Sequence, residues 1–168
     1  MTLRTLLDDA AARAPNAVAL RYRRDAAWQK RSYAELAAGV RQMAEAFSQF
    51  NLKPGAEPVA LILENGPEWI ETYLALAGAG IAVVPLDPKL RACEVAYVLK
   101  DSEAVAVFTD TRHLDLLETI LPELPAVRAL VVTDGGGEPL APIAGRPCHD
   151  YETLRADATT VVVGYYGA

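Results

Sequence analysis

Hydrophobic and polar residues alternate in blocks that change period along the chain. Leu3, Leu6 and Leu7 are expected on the buried side of a short opening helix with Thr2 as its cap, and the helix is expected to stop near Ala14 because Pro15 disfavours helix in the residue before it. Ala17-Val18-Ala19-Leu20-Arg21-Tyr22 and Trp28-Gln29-Lys30-Arg31 flank a charged turn around Arg24-Asp25, the pattern of an antiparallel hairpin. Ser32-Tyr33-Ala34-Glu35 has the form of a capping box, in which Ser32 accepts from a free helix N–H and Glu35 reaches back. The helix it starts carries Tyr33, Leu36, Val40, Met43, Phe47 and Phe50 at spacings of three and four. That stripe is too short for a coiled coil and reads as a core-facing helix.

A regular succession follows. Val59-Ala60-Leu61-Ile62-Leu63, Ile81-Ala82-Val83-Val84-Pro85, Ala104-Val105-Ala106-Val107-Phe108 and Arg128-Ala129-Leu130-Val131-Val132 are strands rich in apolar residues, as expected of strands buried on both faces. Between them lie three helical stretches. The first has Pro67 at its first turn and Trp69, Ile70, Tyr73, Leu74 and Leu76 on its apolar side. The second is marked by Val95, Val98 and Leu99, and the third by Leu114, Leu117, Ile120 and Leu121 ahead of Pro122. Strands alternating with helices at this pace imply right-handed βαβ crossovers and a mostly parallel sheet. The fold class is therefore α/β, with an N-terminal helix and hairpin in front of the βαβ units. Beyond Thr133 the pattern decays into a Gly/Pro-rich loop over 134–147, with one helical turn expected over Asp150–Leu154.

Composition narrows the partners. Of 168 residues, 52% are hydrophobic and 23% charged, enough apolar surface to order a chain of this length. The net charge of −6 opposes nucleic-acid binding, which needs basic surface to displace counterions. The longest uncharged stretch, Thr72–Leu86, is interrupted by Gly78, Gly80 and Pro85 and falls short of the roughly 20 residues of a membrane span. Cys93 and Cys148 make no disulfide framework, and the start of the chain meets Asp8 and Asp9 too early for a secretory segment. A cytoplasmic protein with reduced thiols is expected.

Candidate chemistry is sparse. Gly78-Ala79-Gly80 closes a helix and enters a strand, the reverse of a dinucleotide fingerprint, and reads as a helix C-cap. The glycines at 135–137 could form an anion nest, but they lack the Lys and Ser/Thr of a phosphate loop and read as a surface loop. Cys148-His149-Asp150 has the residue types of a triad in a row, yet adjacent side chains diverge, whereas triads are assembled from distant segments. His113 is expected in the first turn of its helix and Cys93 as a small apolar group packed against a helix. Asp8, Asp9, Glu118 and Glu123 read as solvated surface. No residue of this chain is assigned as catalytic, cofactor-binding or metal-binding.

The order of segments nevertheless resembles one family. Ser32-Tyr33-Ala34-Glu35-Leu36 resembles the first core motif of adenylate-forming enzymes, the acyl-CoA synthetase and adenylation-domain type. Glu64-Asn65-Gly66-Pro67-Glu68-Trp69-Ile70 resembles their Asn-x-Pro-Glu-Trp segment. Leu76–Pro88 looks like their second core motif, with Ala77 where lysine is usual. Leu90-Arg91 and Tyr97–Ser102 are similar to the segment before the third strand. The resemblance spans roughly residues 3–155. It implies an N-terminal subdomain of the AMP-binding domain over 1–155, followed by a tail, 156–168, that ends before the expected ATP phosphate loop.

For the parent family the resemblance implies ATP and Mg2+, with CoA as one thiol acceptor. A carboxylic acid attacks the α-phosphate to give an acyl-adenylate and pyrophosphate, and the thiol then takes the acyl group. The family's phosphate loop, Thr-Glu magnesium pair, ribose Asp and C-terminal Lys have no matching positions here. No cofactor is therefore expected to bind this chain, and the chain alone is expected to be inactive. Its implied partners are the remainder of the large domain, or a second copy through the uncovered face. The competing readings are a non-catalytic binding or regulatory module, one half of a split ligase, and an unrelated doubly wound domain.

Overall fold

The computed structural model describes residues 3–50 and 52–157. Thr2, and the tail from 158 onward, lie outside the described residues. Helix α1 (Leu3–Arg13) ends two residues before Pro15, as the proline dictates. Strands β1 (Val18–Arg24) and β2 (Ala27–Ser32) pair antiparallel around Asp25 and Ala26, which have φ of 51° and 62°. Two positive φ values in succession match the right-handed twist of the strands, so the tight turn is made without glycine. The capping box forms: Glu35 N–H donates to Ser32 Oγ at 3.2 Å and Ser32 N–H to Glu35 Oε2 at 2.7 Å. It starts α2 (Tyr33–Ala46), which tightens into a 3-10 turn over Phe47–Phe50.

The βα succession is β3 (Val59–Ile62), α3 (Pro67–Gly78), β4 (Val83–Pro85), α4 (Ala92–Asp101), β5 (Ala106–Thr109), α5 (Leu114–Ile120) and β6 (Ala129–Val132). A further strand, β7 (Cys148–Asp150), and a helix α6 over 151–157 follow. The five strands β3 to β7 form one parallel sheet in the order β4-β3-β5-β6-β7. This is the 2-1-3-4-5 order of a doubly wound fold, with helices on both faces.

Strand alternation sorts the core. Val59, Leu61, Ala106, Phe108 and Val131 face α2, α3 and α6, where Met43, Leu76 and Tyr151 are buried. Ala60, Ile62, Val107 and Leu130 face α4 and α5, where Val95, Leu99, Leu117 and Leu121 are buried. A side chain of this size stabilises by about 2 kcal/mol when fully buried. The double-sided sandwich therefore holds the central strands much more firmly than the edges.

Four expectations change. Leu3 and Leu6 are exposed while Leu7 is buried, because α1 lies on α2 and α3 with a narrow stripe that includes Ala11. β4 is a short edge strand, not a doubly buried one: Val83 and Val84 are half-buried and Pro85 is exposed. Proline, lacking an N–H for the ladder, is tolerated there. Cys148-His149-Asp150 is a strand, and the helix after it runs through 157 rather than for a single turn.

Candidate functional site

In a doubly wound sheet the crevice lies at the carboxyl ends of the strands, where the strand order reverses. Here the reversal falls between β3 and β5. Two open hollows flank the Leu63-Glu64-Asn65 turn that leaves β3. One, about 180 Å³, lies among Glu64, Asn65, Glu68, Asp110, Asp134 and Arg24 of the hairpin. The other, about 450 Å³, is bounded by Asn65, Trp69 and the Pro85-Leu86-Asp87-Pro88 segment.

A polar network ties the strand ends together. Asp110, at the end of β5, accepts from Arg112 Nη2 at 2.7 Å and contacts His113 Nδ1 at 2.7 Å. His113 Nε2 lies 2.9 Å from the carbonyl of Pro88, which can only accept, so this nitrogen donates. Arg112 also reaches Glu64 at 3.4 Å, and Thr111 donates through its N–H and hydroxyl to Asp134 at 2.7 and 2.8 Å. Burial pushes the Asp110 carboxyl up, but the hydrogen bonds from Arg112 and His113 outweigh it and leave it below the usual carboxylate range. His113 is therefore a buried bridge from β5 to the loop after β4, not merely a first-turn residue.

The hollows do not fit a magnesium–triphosphate. Their walls carry Glu64, Glu68, Asp110 and Asp134, two of the cations beside them are engaged, Arg24 with Glu68 at 2.5 Å and Arg112 with Asp110 and Glu64, and Arg23 and Lys89 at the rims are outnumbered by the carboxylates. Among the described residues no group of three or more His, Cys, Asp and Glu side chains could hold a metal ion. The arrangement can hold loops in register at the strand ends. The excess of carboxylates opposes phosphate oxygens there.

The other candidates resolve as follows. Gly78 ends α3, Ala79 caps it, and Gly80 takes φ +74° on the way into the next strand, as a C-cap requires. The glycine loop serves the chain itself: Gly137 N–H donates to Asp150 Oδ2 at 3.1 Å, and a Cβ on Gly135 would sit 2.7 Å from the same oxygen. Asp150 also caps α6 through Thr153 N–H at 2.9 Å. His149 packs edge-on against Phe50 with ring centroids 5.1 Å apart, and burial pushes the Cys148 thiol up. Cys148, His149 and Asp150 thus have separate structural duties. Cys93 is exposed rather than packed, because it sits on the solvent side of α4. Asp8 pairs with Arg41 at 3.3 Å at the surface, and Asp9, Glu118 and Glu123 are exposed.

One cluster was not anticipated. Glu71 is fully buried in α3, where it pairs with Arg31 of β2, lies 3.6 Å from Arg155 Nη1 of α6 and accepts from Tyr151 Oη at 3.1 Å. Burial pushes the Tyr151 hydroxyl well up, which keeps it a donor. The signal lay in spacing: Glu71 occupies the i, i+4 row between Pro67 and Ala75, both buried.

Comparison with known proteins adds the decisive observation. The profile of the AMP-binding enzymes matches residues 7–162. The chain belongs to that family. Tyrocidine synthase 3 of Brevibacillus parabrevis is 33% identical over 113 residues, 67% of this chain and 2% of that protein. The L-proline–[L-prolyl-carrier protein] ligase of Streptomyces coelicolor is 33% identical over 118 residues, 66% of this chain and 22% of the relative. A crotonobetaine/carnitine–CoA ligase of Escherichia coli is 31% identical over 104 residues, 61% of this chain and 20% of the relative. Among solved structures, the coronafacic acid ligase of Pectobacterium brasiliense superposes with a TM-score of 0.80 at 20% identity, covering 93% of this chain and 29% of that one. An anthranilate CoA ligase in complex with anthranoyl-AMP gives 0.73 at 22% identity, covering 80% and 25%. The chain therefore spans only part of the large domain of its AMP-binding relatives.

Proposed function

We propose that this chain is the N-terminal scaffold of an ATP-dependent carboxylic acid ligase, which forms an acyl-adenylate and then passes the acyl group to a thiol such as CoA, and that by itself the chain is inactive. The observation that carries this reading is the family match over 7–162, joined to a strand-end crevice in which carboxylates outnumber cations where a nucleotide would need the reverse. Residues 1–155 act as the subdomain that sets the sheet behind the active site, and the parts that hold ATP and Mg2+ belong to the remainder of the large domain. The natural partner is that remainder, with a second copy as its substitute. Two unpaired cysteines, one of them exposed, suit a reducing, cytoplasmic setting.

Calorimetric titration of the purified chain with MgATP tests the proposal. No heat of binding is expected up to millimolar nucleotide. Saturable binding, or acid-dependent pyrophosphate exchange by the chain alone, would overturn it.

A further inference from the structure

The hairpin that precedes α2 is a strongly basic element on an acidic chain. Residues 18–32 contain Arg21, Arg23, Arg24, Lys30 and Arg31 against a single acid, Asp25, while the whole chain carries −6. The register divides these cations between two faces. Arg24 and Arg31 lie on the inner side and are neutralised by Glu68 and Glu71 of α3. Arg21 stands directly opposite Lys30, and Arg23 opposite Trp28, on the outer side. All four are exposed, Trp28 by 65%, and no carboxylate lies within ion-pair distance of Arg21, Arg23 or Lys30 among the described residues.

A like-charge pair directly across a ribbon is destabilising, and so is a large aromatic left in water. Local choices that work against the fold are expected where a surface has another task. The Arg21 guanidinium sits 5.4 Å from the centroid of the Trp28 ring, so the cations and the aromatic form one platform. Along β1 the outward cations repeat every second residue, about 6.6 Å apart, which is the side-chain repeat of an extended strand. The ribbon has only two strands, so its outer edges remain free to accept a third among the described residues.

We infer that the outer face of the β1–β2 hairpin is a docking surface for an extended acidic segment of a partner protein, with carboxylates meeting Arg21, Arg23 and Lys30 and an apolar side chain seated on Trp28. Charge selects this class of partner. Three cations suffice for a short segment bearing two or three carboxylates. The −6 body repels long polyanions and anionic bilayers, whose charge extends beyond the ribbon. Trp and Arg together are also the residues that dominate protein–protein contacts.

The test uses the 168-residue chain and a fluorescein-labelled peptide of alternating Glu and Val, followed by anisotropy. A Gln/Val peptide, oligothymidylate and phosphatidylserine vesicles serve as comparisons. Saturable binding of the Glu/Val peptide is expected, stronger than for the three comparisons and weaker at high salt. Arg23→Glu and Trp28→Ala are each expected to weaken it about tenfold, the size of one interfacial anchor. Arg23→Gln gives a milder variant should the charge reversal disturb the fold by circular dichroism. No saturable binding, unchanged affinity in the variants, or tighter binding of oligothymidylate or vesicles would overturn the inference. None of these readouts depends on nucleotide binding, so this inference and the proposed function fail separately.

Discussion

At the scale of single residues, the arrangement around Glu71 matters most. A carboxylate taken wholly out of water is tolerated only when its charge and lone pairs are met, and here Arg31, Arg155 and Tyr151 meet them from three directions. Gly39 of α2 completes the setting, because a Cβ there would lie 2.5 Å from Glu71 Oε1. The carboxylate cannot swing aside without losing its partners. Gly39→Ala is therefore expected to destabilise the chain by about 2 kcal/mol through overpacking, despite the gain of about 1 kcal/mol that alanine brings to a helix. Urea unfolding followed by circular dichroism measures this, and a stabilised variant would show that Glu71 has room to move. A charge in a helix reads as solvated until its neighbours on the same row are weighed, which is why Glu71 is not singled out by the sequence pattern.

At the scale of elements, the carboxyl ends of the strands are held by side chains as well as by the ladder. Asp110 joins the end of β5 to Arg112 and, through His113, to the loop after β4. Its carboxyl lies below the usual range in the folded chain, so its contribution is present above the unfolded value of about 3.9 and is lost as pH falls through the folded value. Asp110→Asn is expected to lower stability at neutral pH and to flatten the loss of stability below about pH 4. Urea midpoints taken between neutral and acidic pH check both, and parallel profiles for the two proteins would refute it. The elements themselves were largely legible. The apolar runs at 59–63, 104–108 and 128–132 are the buried central strands, and Ser32 with Glu35 marked the start of α2. The edges were harder to read. The run at 81–85 looks the same whether one or both faces are covered, and Cys148-His149-Asp150 is too short and too polar to announce β7. The site network was not legible at all, because Asp110, His113 and Pro88 meet only once β4 and β5 are placed on either side of β3.

At the scale of the whole molecule, both faces of the sheet are covered by helices, while β4 and β7 end the strand order among the described residues. An unpaired parallel edge is a template for another chain. Leu3, Leu6, Val18 and Tyr97 are exposed as well. Self-association is therefore the expected behaviour of the isolated chain, read by sedimentation as a mass that rises with concentration. A monomer over a wide range would exclude it.

The contacts of Glu71 have a further meaning for how the chain holds itself shut. Arg31 comes from the second strand and Arg155 from the last described helix, so one carboxylate bolts together stretches that are distant along the polymer. Closing so long a loop costs entropy that is recovered only when the bolt seats. Loosening of either β2 or α6 uncovers the same buried charge, and these two distant segments are thereby made to open as one.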